Sequence, residues 1–160
     1  MKALVVYDSV FGNTEKIAQA IGKALADLGE VEALRVAQVP SEPAWTELKL
    51  LIVGSPTRAF KATPAIKTWI NRFSRSALKG VNVAAFDTRI AVKDVDSSVG
   101  RFFVKTFGYA ADPIAKQLKS KGGTLIVPPE GFFVEGTEGP LRDGELERAA
   151  EWAKHVIERL

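Results

Sequence analysis

The 160-residue chain contains no cysteine, and this absence excludes several kinds of chemistry. Without cysteine there is no disulfide, no thiolate nucleophile, no zinc–thiolate site and no cysteine-bound iron–sulfur cluster. Histidine is almost as scarce, because His155 is the single example. It falls on the polar face of the last predicted helix, so we expect a surface residue and not a catalyst. Any redox chemistry must therefore depend on a bound organic cofactor.

Long apolar runs and blocks of one charge sign are also missing. The first apolar run, residues 3–7, is too short for a signal peptide, and no segment approaches the ~20 apolar residues of a membrane span. The 22 basic and 19 acidic residues are mixed along the chain, without a basic arm of the kind that binds nucleic acid. We expect a cytoplasmic protein without stable membrane insertion or a nucleic-acid partner. The net charge of +3 fits either a slightly basic surface or a docking patch for an anionic partner.

What the chain does contain is typical of one globular domain. Apolar residues make up 46% and charged residues 26% of the sequence. A chain of this length can bury roughly 68–70% of its unfolded surface. No linker divides it, and no period of about 20–50 residues recurs. The sequence predicts a single domain over residues 1–160.

Short apolar runs alternate with amphipathic segments along the chain. Runs at residues 2–7, 31–36, 48–54, 81–86 and 124–127 predict buried strands, and the last is expected to resume at 132–134 after two prolines. Apolar residues at helical spacing predict the helices between and after them. This alternation requires parallel strands with right-handed crossovers. It predicts an α/β fold with a doubly wound parallel sheet and helices on both faces.

The turn after the first strand carries a signal for an anionic ligand. It reads Ser9-Val10-Phe11-Gly12-Asn13-Thr14 and precedes a helix, where free amides and the helix dipole favour an anion. Gly12 and Asn13 tolerate the dihedral angles of an amide nest, and Ser9, Asn13 and Thr14 add side-chain donors. Neither the P-loop pattern nor Gly-x-Gly-x-x-Gly occurs. Taken alone, the turn fits a helix cap without a ligand equally well.

Two further polar loops follow strands that should lie beside the first. Residues 54–64 follow the third strand, and residues 86–89 follow the fourth. In a doubly wound sheet these loops meet the first one at the crevice where strand order reverses. An anion nest beside two polar, partly aromatic loops suits a phosphorylated planar ring. A receiver-like signalling domain shares this topology, but it would need a phosphorylatable aspartate where the chain has Gly54 and Ser55.

These three loops resemble the flavin-binding loops of the flavodoxin family. The stretch from Tyr7 to Thr14, followed by Ile17 and Ala18, resembles the loop that holds the FMN phosphate. Residues 54–57 resemble the second flavin loop and residues 86–89 the third. The resemblance covers the whole chain. It implies a flavodoxin-like, five-stranded parallel sheet of order 2-1-3-4-5, with FMN as the cofactor.

The resemblance implies a role for each loop. The first would hold the phosphate, the second would line one side of the isoalloxazine, and the third would approach the ribityl chain and the polar edge of the ring. The implied cofactor-binding residues are Ser9, Val10, Phe11, Gly12, Asn13, Thr14, Ser55, Pro56, Thr57, Arg58, Ala59, Phe60, Phe86, Asp87, Thr88 and Arg89. The sequence indicates no metal site and identifies no catalytic side chain.

Two departures from the family pattern leave the function open. Many electron-carrying flavodoxins enclose the ring between a Trp and a Tyr, whereas here the second loop offers Phe60 and the third has no Tyr. Those carriers are commonly acidic, whereas this chain has a pI of about 9.2. The resemblance implies electron transfer through non-covalently bound FMN to a redox partner protein. The alternatives are a small FMN-dependent oxidoreductase acting on a quinone-like or porphyrinogen-like substrate, and a cofactor-free binding module.

Two other features yield expectations. Arg58 and Arg89 are predicted near the ring, where positive charge would favour anionic reduced flavin or position a substrate, with a solvated loop charge as the alternative for each. Residues 96–98 predict a helix cap, followed by an apolar stripe that we interpret as core, with an apolar wall over the flavin as the alternative. The stripe comprises Val99, Phe102, Phe103 and Phe107, flanked by Arg101 and Lys105.

Overall fold

The computed structural model describes residues 1–40, 45–95 and 97–160, with the backbone alone for Trp45, Phe103, Val104, Thr106 and Phe107. Within these ranges the strands are β1 (Lys2–Tyr7), β2 (Glu30–Arg35), β3 (Leu48–Pro56), β4 (Asn82–Ile90), β5 (Thr124–Leu125) and β6 (Glu130–Val134). The helices are α1 (Asn13–Ala24), α2 (Pro64–Asn71), α3 (Ser98–Phe107), α4 (Ala111–Ser120) and α5 (Glu145–Ile157).

The strands form one parallel sheet in the order β2-β1-β3-β4-β5, and β6 also pairs with β4. β5 and β6 are two pieces of one edge, because β5 pairs with the start of β4 and β6 with its end. Pro128 and Pro129 lie between the two pieces, and proline has no amide hydrogen to donate to a ladder. The predicted strand order and the interrupted last strand are confirmed.

Helices cover both faces of the sheet, as the sequence predicted. On one face α2 and α4 bury residues such as Ile66, Ile70 and Ile114 against β3 and β4. On the other face α1 and α5 bury a second core that includes Ile17 and Trp152. The apolar stripes in the sequence lead to this arrangement because each helix has one apolar side, which it can bury only against the sheet.

The end of β4 differs from the sequence prediction. Residues 87–89 were expected to leave the strand as a loop, whereas β4 continues to Ile90 and pairs with β6 from Phe86 through Ile90. Successive side chains of a strand point to opposite faces of the sheet. Phe86 and Asp87 therefore point to opposite sides, and neither belongs to a loop.

The segment after β4 also differs in part. Ser97 caps α3 through its Oγ, which accepts the Gly100 amide at 2.9 Å. The interpretation of the following apolar stripe as core is wrong for Val99 and Phe102, which are 65% and 64% exposed. Asp96 and the side chains of Phe103 and Phe107 lie outside the described part of the chain. His155 is exposed on α5, as predicted.

Candidate flavin site

A cavity of about 260 Å³ opens at the carboxyl ends of the central strands. Four segments line it: the β1–α1 turn, the loop after β3, the end of β4, and β6 with the loop that follows it. The lining residues are Ser9, Val10, Phe11, Asn13, Thr14, Pro56, Thr57, Arg58, Ala59, Thr88, Arg89, Ile90, Val134 and Thr137. None of these described lining residues is acidic. The three loops singled out in the sequence therefore meet at one cavity.

The β1–α1 turn presents amides and hydroxyl groups to this cavity. Gly12 has a φ of 89° and precedes α1, and its amide donates to Ser9 Oγ at 3.1 Å. Within the described residues, the amides of Phe11, Asn13 and Thr14 donate to no protein acceptor. A Cβ built on Gly12 would meet nothing within 4 Å, so the space over the turn is open. Unpaired amides at a helix N-terminus beside open space fit an anionic group such as phosphate.

A buried hydroxyl pair ties this turn to β4. Thr14 Oγ1 lies 2.8 Å from Thr88 Oγ1, and both residues are buried. Thr57, in the loop after β3, donates its amide to the Thr88 carbonyl at 2.9 Å. Thr88 therefore fixes the first and second loops relative to each other.

The second loop contains a tight turn with two unusual residues. Arg58 and Lys61 exchange backbone hydrogen bonds of 2.8 and 3.0 Å, and Ala59 and Phe60 between them have φ values of 47° and 69°. Each left-handed residue with a Cβ costs roughly 1–2 kcal/mol. The Arg58 guanidinium lies 5.7 Å from the centre of the Phe11 ring, across the mouth of the cavity.

We expect Ala59→Gly to raise the free energy of unfolding by about 0.5–1 kcal/mol. Glycine adopts a positive φ without the steric cost, and this gain exceeds the added freedom of the unfolded chain. The matched control is Ala150→Gly within α5, which should lower stability by about 1 kcal/mol because that residue is helical. Urea unfolding measures both changes. A loss of stability in Ala59→Gly would contradict the strained turn.

Arg89 is held on three sides at the edge of the cavity. Its Nε and Nη2 donate to the Asp87 carboxylate at 2.6 and 2.8 Å. The Tyr109 ring centre lies 3.9 Å from its guanidinium, and a Cβ on Gly131 would lie 2.1 Å from its Nε. Burial raises the pKa of Asp87 above its ordinary value, while Arg89 and the Ala111 amide, which donates to Asp87 at 2.9 Å, oppose that rise. The positive charge of Arg89 is thus matched by a carboxylate beneath it.

A fourth wall was not found from the sequence. Asn13 Nδ2 donates to the Glu138 carbonyl at 3.0 Å, and a Cβ on Gly139 would lie 2.7 Å from the Asn13 side chain. The loop after β6 therefore packs against the first loop, and its residue Thr137 lines the cavity with Val134. The available signal was the position of Gly136 and Gly139 just beyond the last strand of the sheet.

Several residues assigned to the site from sequence lie elsewhere. Phe86 is fully buried against Phe132 and Trp152, with ring centres 6.1 and 6.3 Å away. Ser55 is also fully buried, and its Oγ accepts the Thr63 amide at 3.0 Å. Asp87 points away from the cavity toward α4. These three side chains serve the fold, because β3 and β4 extend further than predicted.

Two more of the predicted residues do not line the cavity with their side chains. Gly12 contributes the backbone bend of the first turn, and Phe60 is a half-buried residue of the 58–61 turn. The remaining predicted residues all line the cavity. Their roles toward a cofactor stay predictions. Among the residues that the structure describes, no group of His, Asp or Glu could hold a metal ion, and no helix could cross a membrane.

Comparison with known proteins decides the family. A family model described as "Flavodoxin domain" matches residues 4–127. The chain belongs to the flavodoxin family. Membership implies a flavin cofactor and a role in electron transfer. In the flavodoxin fold the cavity described above lies where the strand order reverses, at the carboxyl ends of β1 and β3.

Solved structures share the fold over the whole chain. A flavodoxin from the domain Archaea superposes with a TM-score of 0.76 at 24% identity, covering 99% of this chain and 97% of that one. Oxidised flavodoxin 2 from Bacillus cereus gives 0.77 at 20% identity, with both chains fully covered. Rubredoxin oxygen:oxidoreductase from Desulfovibrio gigas gives 0.73 at 18% identity, covering 98% of this chain and 35% of that one. These similarities confirm the flavodoxin-like fold.

A sequence relative matches a shorter part of this flavodoxin-family chain. An uncharacterized protein of Methanocaldococcus jannaschii is 40% identical over 60 residues. The match covers 35% of this chain and 15% of the relative's length.

Proposed function

We propose that this chain binds FMN non-covalently in the cavity and exchanges electrons with a redox partner protein in the cytoplasm. The observation that carries the proposal is the set of amides at Phe11, Asn13 and Thr14, which donate to no acceptor in the described part of the chain and belong to residues that line the cavity at the start of α1. A dianionic phosphate is the ligand that such an N-terminus accommodates best. A phosphate-free ring would leave those donors unused.

The residues present fit each part of FMN. The first turn would hold the phosphate through its amides and the Ser9 and Thr14 hydroxyls. Pro56, Thr57 and Ala59 would form one wall for the ring, with Phe11 and Arg58 at the mouth. Thr88 would keep these walls at a fixed separation through its bonds to Thr14 and Thr57. The flavin, when bound, supplies the electron transfer, and the chain supplies binding, orientation and electrostatics.

A second candidate function is a small FMN-dependent oxidoreductase. It is favoured by the second loop, whose cavity-lining residues Thr57, Arg58 and Ala59 include no aromatic side chain. The absence of an aromatic side chain there leaves room for a flat quinone-like or porphyrinogen-like substrate to stack on the ring. Stopped-flow reduction by NADH and NADPH, followed by addition of quinones, separates this function from that of a carrier.

Titration with flavins tests the cofactor assignment. We expect the chain to bind one FMN, with the visible flavin spectrum changing on binding, and to bind riboflavin far more weakly. The two ligands differ in the phosphate alone, so the difference in affinity measures the first turn directly. Equal affinity for FMN and riboflavin would contradict the phosphate assignment, and no uptake of either would favour the cofactor-free binding module.

The variant Thr14→Val sharpens this test. Removing one hydrogen bond to a charged group costs about 1.5–3 kcal/mol, so FMN affinity should fall about 10- to 100-fold. Riboflavin affinity should stay unchanged, because it lacks the phosphate that Thr14 would contact. A parallel fall for both ligands would mean that the variant disturbs the cavity through the lost Thr88 contact instead.

A further inference from the structure

The positive charge of this chain is concentrated in one segment. Between Glu47 and Asp87 the sequence carries seven basic side chains and no acidic one. The whole chain has 22 basic and 19 acidic residues, so outside this segment 15 basic side chains stand against 19 acidic ones. The excess positive charge therefore lies wholly in the segment that runs from β3 through α2 to the start of β4. The remainder of the chain is net acidic.

Three of the seven basic residues lie beside the cavity. Arg58 lines the cavity, and with Lys61 and Lys67 it also lines a neighbouring groove of about 360 Å³. Lys61 and Lys67 line a further groove of about 270 Å³ against α4. The described residues that line these two grooves include no acidic side chain, and the three cations are exposed. We call Arg58, Lys61 and Lys67 the basic rim.

The basic rim is not neutralised within the protein. None of its three side chains forms an ion pair with any residue in the described ranges, whereas Arg89 at the same cavity is paired with Asp87. On the other side of the first turn, Arg35 likewise has Asp8 and Glu15 as partners. The potential at the cavity mouth is therefore positive on the side of the basic rim. Such a field steers an anionic partner toward the mouth.

An apolar contact adjoins the basic rim. Val10 and Phe11 are 51% and 45% exposed on the first turn, although both belong to the cavity lining. The Arg58 guanidinium lies 5.7 Å from the centre of the Phe11 ring. Aromatic residues and arginine are enriched at protein–protein interfaces, where a few such residues carry most of the binding energy. Charge and apolar surface thus coincide at the mouth of the cavity.

We propose that the basic rim and Phe11 form the docking surface for the acidic face of a redox partner protein. This inference rests on the proposed function, because docking at the mouth serves a cavity that holds the flavin. With the flavin bound, docking there would bring it close to an oxidised one-electron metal centre of the partner, which would accept one electron from the reduced flavin. Phe11 is the one aromatic residue in the described lining of the cavity and of the two grooves, whereas proteins that bind single-stranded nucleic acid offer a series of stacking aromatic side chains, so a protein partner is favoured.

Stopped-flow kinetics with a small acidic rubredoxin tests the surface. The chemically reduced holoprotein is mixed with oxidised rubredoxin at low salt, and the loss of rubredoxin colour gives the second-order rate constant. For the triple variant Arg58→Gln, Lys61→Gln, Lys67→Gln we expect this constant to fall about 10-fold or more, since electrostatic steering raises association rates by roughly 10–10³. Added salt should slow the wild type and leave the variant almost unchanged.

The chain offers a matched control within the same segment. The triple variant Lys49→Gln, Arg75→Gln, Lys79→Gln loses the same amount of positive charge. These residues lie near the amino ends of β3 and β4, whereas the cavity lies at the carboxyl ends of the strands. It should keep most of the wild-type rate with rubredoxin. Benzoquinone, which is uncharged, should oxidise the wild type and the control triple at equal rates. It should oxidise the rim triple no more slowly, because the loss of the Arg58 charge beside the cavity lowers the reduction potential and makes the reduced flavin the stronger reductant. An equal fall for both triples, or a benzoquinone rate lowered in the rim triple alone, would overturn the proposal.

Binding measured without turnover separates this proposal from the proposed function. Flavin uptake is scored by the visible spectrum, and docking is scored by amide shifts in NMR spectra of the purified chain on addition of redox-inert, zinc-substituted rubredoxin. Shifts confined to residues 10–11 and 57–68, and absent in the rim triple, support docking whether or not FMN binds. Shifts spread over the surface contradict it. If a single-stranded oligothymidylate displaced rubredoxin and bound the rim more tightly at equal salt, the proposal would be overturned in favour of a nucleic-acid-binding surface.

Discussion

Gly54→Ala is expected to lower the free energy of unfolding by about 3 kcal/mol or more, and Gly54→Val to prevent folding. A Cβ on Gly54 would lie 2.0 Å from the Phe86 ring, which is fully buried and is enclosed by Phe132 and Trp152. Overpacking a core usually costs about 1–3 kcal/mol, and here a rigid ring without free space must move. A valine at this position is larger still, and its cost is expected to exceed the free energy of unfolding of a typical domain, which is about 5–15 kcal/mol.

Urea unfolding of the purified variants measures this cost. Gly22→Ala in α1 is the matched control, because its Cβ would meet the Ala33 Cβ at 3.3 Å and its backbone is helical. It should change stability by less than about 1 kcal/mol. The double variant Gly54→Ala, Phe86→Leu should recover part of the loss, since the shorter side chain vacates the contact. Wild-type stability in Gly54→Ala would mean that Phe86 does not occupy this position.

Arg89→Ala is expected to lower the free energy of unfolding by about 3–5 kcal/mol at neutral pH. Asp87 is fully buried, and Arg89 is its bidentate partner. Removing one member of a buried pair leaves the other charge without compensation. The variant also loses the contact between the guanidinium and the Tyr109 ring. Chemical unfolding at pH 7 checks the magnitude, with Arg58→Ala as a control that should cost little because Arg58 is exposed.

The loss should shrink as the pH is lowered. Burial already raises the pKa of Asp87, and without Arg89 an opposing influence disappears, so that pKa rises further. A carboxyl group whose folded pKa lies above its unfolded value stabilises the fold fully below the unfolded pKa and loses that contribution as pH rises through the folded pKa. Arg89→Ala should therefore be closest to wild type near pH 4 and furthest from it at pH 7 and above. The double variant with Asp87→Asn should show no such dependence.

The same ion pair revises the electrostatics expected at the ring. From the sequence, Arg89 was expected near the ring, where its charge would favour anionic reduced flavin or position a substrate, with a solvated loop charge as the alternative. In the structure its charge is matched by Asp87, so Arg58 is the unpaired cation of the cavity lining within the described residues. A change in reduction potential caused by a single charge should therefore follow Arg58→Gln.

The sequence by itself determined the succession of strands and helices and the three segments that meet at the carboxyl ends of the strands, and the resemblance to flavodoxins supplied the sheet order. Near-continuous apolar runs such as residues 3–7 can be buried only in a strand covered on both faces, and helical stripes such as that of Ile17 and Ile21 need a face to cover. Alternation of the two leaves parallel strands with right-handed crossovers as the solution. The turn at residues 9–14 could be recognised from the sequence because its residue types are those of an amide nest, whatever the tertiary contacts around it.

Tertiary structure alone decided which side chains of those loops face the cavity. Pairing with β6 extends β4 to Ile90, and this pairing joins residues more than 40 positions apart, so no local pattern around Phe86 or Asp87 reveals it. The two-residue period of a strand then sends Phe86 into the core and Asp87 toward α4, while Thr88 reaches Thr14. The wall formed by residues 134–139 likewise depends on a contact between Asn13 and Glu138, which are 125 positions apart. Periodicity and residue type report on short stretches of chain, whereas a cavity wall is set by contacts between distant ones.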